Sequence, residues 1–421
     1  MYEAEHDCRT HCRSAAAGRK RGRLGVLALA AGLALAGMGA QVGAQTMKIG
    51  ALFPFSGSFA AFGQDCYRGL ELAVEERNAR GGVRGTRIEL VKADATDTSQ
   101  AVSEARRLVT VVKAQAVFGT YASSLSYAAT QVTELAGVPY FELTGTADDI
   151  TGRGYKYVYR YSPNASYVAD GTMVALEKIV APGLGVDPKD MKIAFVHEDG
   201  IYGATVVKRQ QAIAKEKGYQ VVNVLPYSAK SVDMSAIVLK LKAAGAEVIM
   251  PTSYESDTIL LMRQLDAAKY APKAIIGTGG GWSLETTAKA LGGRLDGTFS
   301  ADFPSTAMNE AGAPGLKDFL EKYQARYGSL PSSSYGLVAY VGAHQSFDAL
   351  EKAKSMDKDD IREAVLALDV AVGGTAVGWG VKFGQDGQNT RAFPAVLQWQ
   401  NGKRLTVYPK DAAIAEPVFA N

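Results

Sequence analysis

Apolar runs of strand length alternate with amphipathic helical stretches through the first 300 residues of this chain. Strand-length runs fall at 47–53, 87–93, 116–119 and 138–143. Between them the spacing of apolar positions predicts helices over 64–79, 98–113 and 123–136. A looser segment at 144–164 carries Gly145, Gly152, Gly154 and Pro163, and then the alternation restarts. The second run predicts strands at 191–197, 219–225, 246–251 and 273–277, with helices at 165–181, 202–217, 233–244 and 255–269. Two runs of strand–helix units imply an α/β fold of two parallel-sheet lobes, each covered by helices on both faces. The lobes share this pattern but no close sequence repeat.

After about residue 300 the order changes. Helical stretches at 312–327 and 335–355 follow one another with no strand between them. A Gly-rich turn at 373–374 leads into predicted strands near 376–383 and 393–400, and Asn401-Gly402 after the last is a hairpin signal. Such a tail suits a chain that crosses back to finish each lobe.

Ahead of the first strand stands an export-type segment. A basic run, Arg19-Lys20-Arg21-Gly22-Arg23, precedes an apolar stretch from Leu24 to about Gly39 and the small-residue pattern Val42-Gly43-Ala44. The apolar stretch is shorter than the roughly 20 residues of a membrane span. Residues 1–44 are therefore expected to be a signal peptide cleaved near Ala44, sending the protein to the periplasm. The whole chain has 46 Lys/Arg and 43 Asp/Glu; removing the six basic and three acidic residues of that segment leaves 40 of each. A formally neutral chain argues against an electrostatic nucleic-acid partner. Hydrophobic residues make up 47% of the sequence, enough for sizeable cores, and the length favours two lobes over one. Cys8 and Cys12 lie in the leader, so Cys66 alone would remain and no intramolecular disulfide could form.

Residues 48–107 carry a family resemblance. Gly57, Gly63, Gly69, the run LAVEERNARGGVRG, Asp94 and the helix AVSEARRL look like the first third of type I periplasmic solute-binding proteins. The nearest group is the branched-chain amino-acid binding family that feeds ABC importers. Later landmarks are Gly119 to Ser126, Thr144 to Gly154 with TGRGY, and VHEDGIYG at 196–203. The resemblance implies two Rossmann-like lobes joined by three crossovers, with the ligand in the cleft between them. It divides the chain into a first lobe of 45–164 and 301–368 and a second of 165–300 and 369–421. It also implies a monomer that hands its ligand to a membrane permease.

The resemblance further implies a site. Phe62 stands where the family carries an aromatic over the ligand; the alternative is that it packs its own loop. Ser123-Ser124 open a helix after strand 116–119, where a hydroxyl and free N–H groups suit an anion. In the family this position holds the ligand's carboxylate, and Ser123 could equally be an N-cap, which uses the same geometry. Thr144 would offer its carbonyl and Thr146 its hydroxyl, although turn chemistry around Gly145 also explains two threonines. Tyr202 and Tyr254, from the second lobe, map onto aromatic positions that close on the ligand.

One position departs from the family. Where a Glu would accept the ligand's ammonium, this chain has Gly279, inside GTGGGW. Either another acid replaces it, with Glu142, Asp199 and Asp257 as candidates, or the ligand has no amine. Glu142, at the end of a first-lobe strand, is alternatively a solvated strand-end carboxylate. The glycine run lacks the Lys-Ser/Thr of a P-loop and the spacing of a dinucleotide loop, so it reads as a loop near the ligand, with Trp282 as a candidate lining residue. No G-x-S-x-G is present, and His197-Glu198 lacks a second zinc-binding His. The expectation is a binding protein without cofactor or metal, not an enzyme, taking a small amino acid. The alternatives are an aromatic or aliphatic carboxylate lacking an amine, or a soluble ligand-sensing module.

Overall fold

The computed structural model describes residues 46–419; the proposed signal peptide lies outside them. The first sheet contains β1 (Met47–Phe53), β2 (Ile88–Asp94), β3 (Ala116–Gly119), β4 (Tyr140–Glu142) and β5 (Val158–Arg160). Its order is β2-β1-β3-β4-β5, and every pair is parallel. The second contains β6 (Lys192–Glu198), β7 (Gln220–Tyr227), β8 (Val248–Thr252), β9 (Ala274–Thr278), β10 (Phe299–Asp302), β11 (Ala395–Gln400) and β12 (Lys403–Tyr408). Its order is β12-β11-β10-β9-β8-β6-β7. The strands β10, β9, β8, β6 and β7 run parallel, and β11 and β12 add an antiparallel edge.

The inner strands are buried because helices cover both faces, and all but β10 are mainly apolar. All residues of β3, β8, β9 and β10 are buried, as expected for parallel sheets with no solvated face. Asn401 and Gly402 join β11 to β12 with positive φ at both residues (53° and 70°), the conformation that a two-residue hairpin favours.

Three crossovers join the lobes. The chain leaves the first sheet after β5, returns after β10, and leaves again before β11. This last passage comes later than the expected residue 369. Val377, Trp379, Val381, Phe383 and Ala392 belong to the first lobe's core. The expected strand at 376–383 is also absent. That segment is irregular, held by isolated bridges Val370–Val381 and Phe383–Asn389; its apolar side chains fill the core without a partner strand.

The returning helix Tyr335–Lys352 packs on helix Ala60–Ala79. The backbones approach so closely that a Cβ at Gly69 would stand 2.0 Å from the carbonyl oxygen of Gly336. This contact anchors Tyr335, the first residue of the returning helix, at the mouth of the cleft. Among the described residues, no helix is long and apolar enough to cross a membrane.

Candidate functional site

A cavity of about 20 Å³ lies between the lobes at the carboxyl ends of both sheets. Ser123, Thr144, Thr146, Tyr121 and Tyr335 border it from the first lobe. Tyr202, Tyr254, Gly279, Gly280, Val168 and Asp302 border it from the second. Open parallel sheets bind ligands at this end of their strands.

The first-lobe wall is polar by construction. Helix Ser123–Ala136 has Ala122 at its N-cap position, with no side-chain cap. The first-turn N–H groups that a cap would satisfy are left to other partners. Ser123 is thus the first helical residue and not the cap. Its Oγ accepts the backbone N–H of Ala147 at 3.0 Å and that of Thr146 at 3.3 Å. With both lone pairs used, the hydroxyl proton remains free to be donated. The Thr144 hydroxyl lies 3.5 Å from the Cys66 sulfur, the one free cysteine of the described residues.

Glu142 does not reach the cavity. Its carboxylate accepts the backbone N–H of Thr120 (3.1 Å), Thr144 (3.1 Å) and Gly145 (2.6 Å). From the other side, the Arg160 guanidinium donates to the carbonyls of Thr146 (2.8 Å) and Ala147 (2.6 Å). The two buried side chains clamp the loop that carries Thr144 and Thr146. Burial pushes the Glu142 pKa up to about 7, against the lowering effect of hydrogen bonds from Ser126, Gly145 and Thr144. The solvated strand-end reading and the ammonium reading of Glu142 both give way to this role. Neither other candidate acid borders the cavity. Asp199 is exposed, and Asp257 accepts the Tyr227 hydroxyl at 2.5 Å.

The aromatic positions are partly reassigned. Phe62 is fully buried behind the wall, stacked on Tyr121 at 4.1 Å between centroids and edge-on to Tyr335 at 5.4 Å. It supports Tyr121, which faces the cavity in its place. The first-loop ring that meets the second lobe is Phe59, 4.7 Å from the Tyr254 ring. Tyr202 and Tyr254 border the cavity from the second lobe, their rings 5.8 Å apart. The Tyr202 hydroxyl is spent on Thr278, donating to its carbonyl and lying 3.1 Å from its Oγ1. The ring alone therefore faces inward. Ser124 borders a separate adjoining cavity of about 300 Å³, which Tyr202 and Tyr254 share. Trp282 is core, its indole N–H donating to Ser253 Oγ at 2.7 Å.

Tyr121, Val168, Asp302, Phe303 and Tyr335 line the cavity as well and were not singled out from the sequence. Tyr121 lay within a noted landmark, and Tyr335 headed a predicted helix. Asp302 ends a strand that had no apolar pattern to announce it. Among the described residues, no group of three or more His, Cys, Asp or Glu side chains could hold a metal ion.

Comparisons with known proteins agree with this architecture. A family model described as periplasmic binding protein matches residues 46–404. Leu/Ile/Val-binding protein homolog 8 of Brucella suis biovar 1 (strain 1330) is 48% identical over 389 residues, covering 92% of this chain and 96% of that protein. The chain belongs to the periplasmic binding protein family. Within it, the chain falls in the branched-chain amino-acid binding group, whose members are solute-binding proteins and not enzymes. Homolog 7 of Brucella abortus (strain 2308) is 47% identical over 379 residues, 90% of this chain and 95% of that protein. Among solved structures, LivJ of Streptococcus pneumoniae in complex with isoleucine superposes with a TM-score of 0.72 at 24% identity, over 89% of this chain and 100% of that one. A solute-binding protein of R. palustris in complex with 4-hydroxybenzoate gives 0.74 at 20% identity, over 89% and 98%. These two likenesses establish the fold, a type I periplasmic binding protein with two lobes.

Proposed function

We propose that this periplasmic binding protein captures a small L-amino acid by lobe closure and presents it to the permease of an ABC importer. The observation that carries the reading is the Ser123 corner. An uncapped helix N-terminus and a hydroxyl with its proton free converge on one side of the interlobe cavity. That is a binding site for a carboxylate. Thr146 stands beside it, and rings from both lobes close over the remainder of the ligand. No group in the arrangement is set up to attack a bond; its chemistry is hydrogen bonding and burial.

The relatives named as Leu/Ile/Val-binding homologs support an aliphatic amino acid. A second reading, an aromatic acid without an amine, draws on the tyrosine-rich lining and on the neighbour that holds 4-hydroxybenzoate. A thermal-shift screen of ligand-stripped protein with the common L-amino acids and small organic acids separates the two. A ligand at about 100 times its Kd adds about 2.7 kcal/mol of stability, a shift of a few degrees in Tm for a chain of this size. Stabilisation by organic acids lacking an amine, with every amino acid silent, would overturn the amino-acid reading.

A further inference from the structure

Nothing larger than glycine fits at position 279, and the reason is a neighbouring acid. Gly279 follows β9 with φ +48° and ψ −139°, a backbone conformation that side chains disfavour. A Cβ there would stand 2.7 Å from Oδ1 of Asp302 and 3.1 Å from the Tyr335 hydroxyl. In the parallel pairing of β9 with β10, Thr278 lies opposite Ala301. Gly279 and Asp302 are the next residues outward, side by side at the two strand ends. A carboxylate from one strand fills the space that a side chain on the other would occupy.

Asp302 borders the cavity and is 2% exposed. Its Oδ1 has a long hydrogen bond from the Tyr335 hydroxyl, at 3.4 Å, the Ser283 hydroxyl and the Phe303 N–H also favour its charged form, and its Oδ2 has no hydrogen-bond partner among the described residues. The charged group that faces it from β12 is Arg404, which lowers the Asp302 pKa but forms no ion pair with it among the described residues. Burial outweighs that help and pushes the pKa up. A buried acid with an open oxygen is costly in the protein alone. A cation brought into the cavity would satisfy it.

We propose that Asp302 receives the ammonium of the amino-acid ligand, so that the acid expected at 279 has moved to the end of the adjacent strand. This rests on the reading that the cleft takes an amino acid by its carboxylate at Ser123. The ligand then spans the cavity, with its carboxylate at the first-lobe helix and its ammonium at the second-lobe strand end. Closure of the lobes brings the two poles of the site onto the two poles of the zwitterion. Asp302 becomes the residue that distinguishes an amino acid from its desamino counterpart, because the latter leaves the buried carboxylate unpaired.

Calorimetry on ligand-stripped protein tests this. The probes are the common L-amino acids and the desamino counterpart of any that binds, for example L-leucine with 4-methylpentanoate. Wild type should bind the amino acid and reject the desamino acid. Asp302→Asn should weaken the amino acid by about 30-fold or more and leave the desamino acid equal or tighter, which a merely structural defect would not do. Asp302→Ser serves as the second variant should the Asn protein fail to fold. If wild type and Asp302→Asn bind the amino acid equally while Ser123→Ala loses it, the Asp302 assignment falls and the amino-acid reading stands. If wild type takes only acids without an amine, both fall.

Discussion

The hydroxyl of Tyr335, carried by the first lobe, accepts the backbone N–H of Gly280, carried by the second, at 3.0 Å. This bond exists only while the lobes are together. It pins the closed form from a residue whose own position is set by the packing of helix Tyr335–Lys352 against helix Ala60–Ala79.

Tyr335→Phe keeps the ring and removes the pin. It should cost the closed form about 1 kcal/mol, the net worth of one hydrogen bond, and weaken ligand binding about fivefold. In solution scattering the variant without ligand should show a larger radius of gyration than wild type. Identical scattering and affinity would mean that the bond does not bias closure.

The carboxylate corner makes a sharper demand. Ser123→Ala removes a donor to the ligand and an acceptor for the Thr146–Ala147 backbone. It should cost about 1.5–3 kcal/mol of affinity, as for hydrogen bonds to a charged group. Thr146→Ala should fall in the same range. Ser124→Ala, which alters only the adjoining cavity, should stay within about 0.5 kcal/mol. Ligand affinities that rank Ser124 above Ser123 would displace the carboxylate from this helix terminus.

Glu142 links the site to pH. Its pKa is raised from the ordinary carboxylate value to about 7 in the folded chain. Between the two values the folded state keeps a proton that the unfolded state has released. Stability from this group is therefore fully present below about pH 4.5, declines as pH rises through the window, and is lost above about 7. The loss should be on the order of 3 kcal/mol. Asp65, Asp257, Glu198 and Asp302 are raised by burial too and act with the same sign. The diagnostic quantity is thus the difference between wild type and Glu142→Gln. Chemical unfolding across pH 5–8 should give a flatter slope for the variant, and parallel curves would remove Glu142 from the account.

These roles show where sequence was informative. β1 and β3 lie where the apolar runs placed them, and helix Ser123–Ala136 begins and ends where predicted, because amphipathic spacing and Gly137 mark it. β10 was silent because its residues, Phe-Ser-Ala-Asp, mix apolar and polar types although all four are buried. The missing acid was legible as a gap at Gly279, but its replacement was not. Asp302 lies 23 residues further along the chain and becomes a neighbour only through the pairing of β9 with β10. Glu142 was correctly placed at a strand end, yet nothing local reveals that three backbone N–H groups turn toward it. Phe59 and Phe62 flank the start of one helix, and sequence alone does not say which of the two faces the cleft.

That last ambiguity yields a pair of opposed outcomes. Phe62 is fully buried beneath Tyr121, so Phe62→Ala should destabilise the fold by about 3–5 kcal/mol. Phe59 is only partly buried and meets Tyr254 across the cleft, so Phe59→Ala should cost little stability and act on binding. Because the two rings sit on different lobes, they touch only on closure. A double-mutant cycle of Phe59→Ala and Tyr254→Ala, read in ligand affinity, should give a coupling of about 0.5–1.5 kcal/mol, the range for an aromatic pair. The same cycle read in unfolding free energy of the ligand-free protein should give a smaller coupling, to the extent that the open form is populated. Additive effects on affinity would separate the rings in the bound state and place the closing contact elsewhere in the cleft.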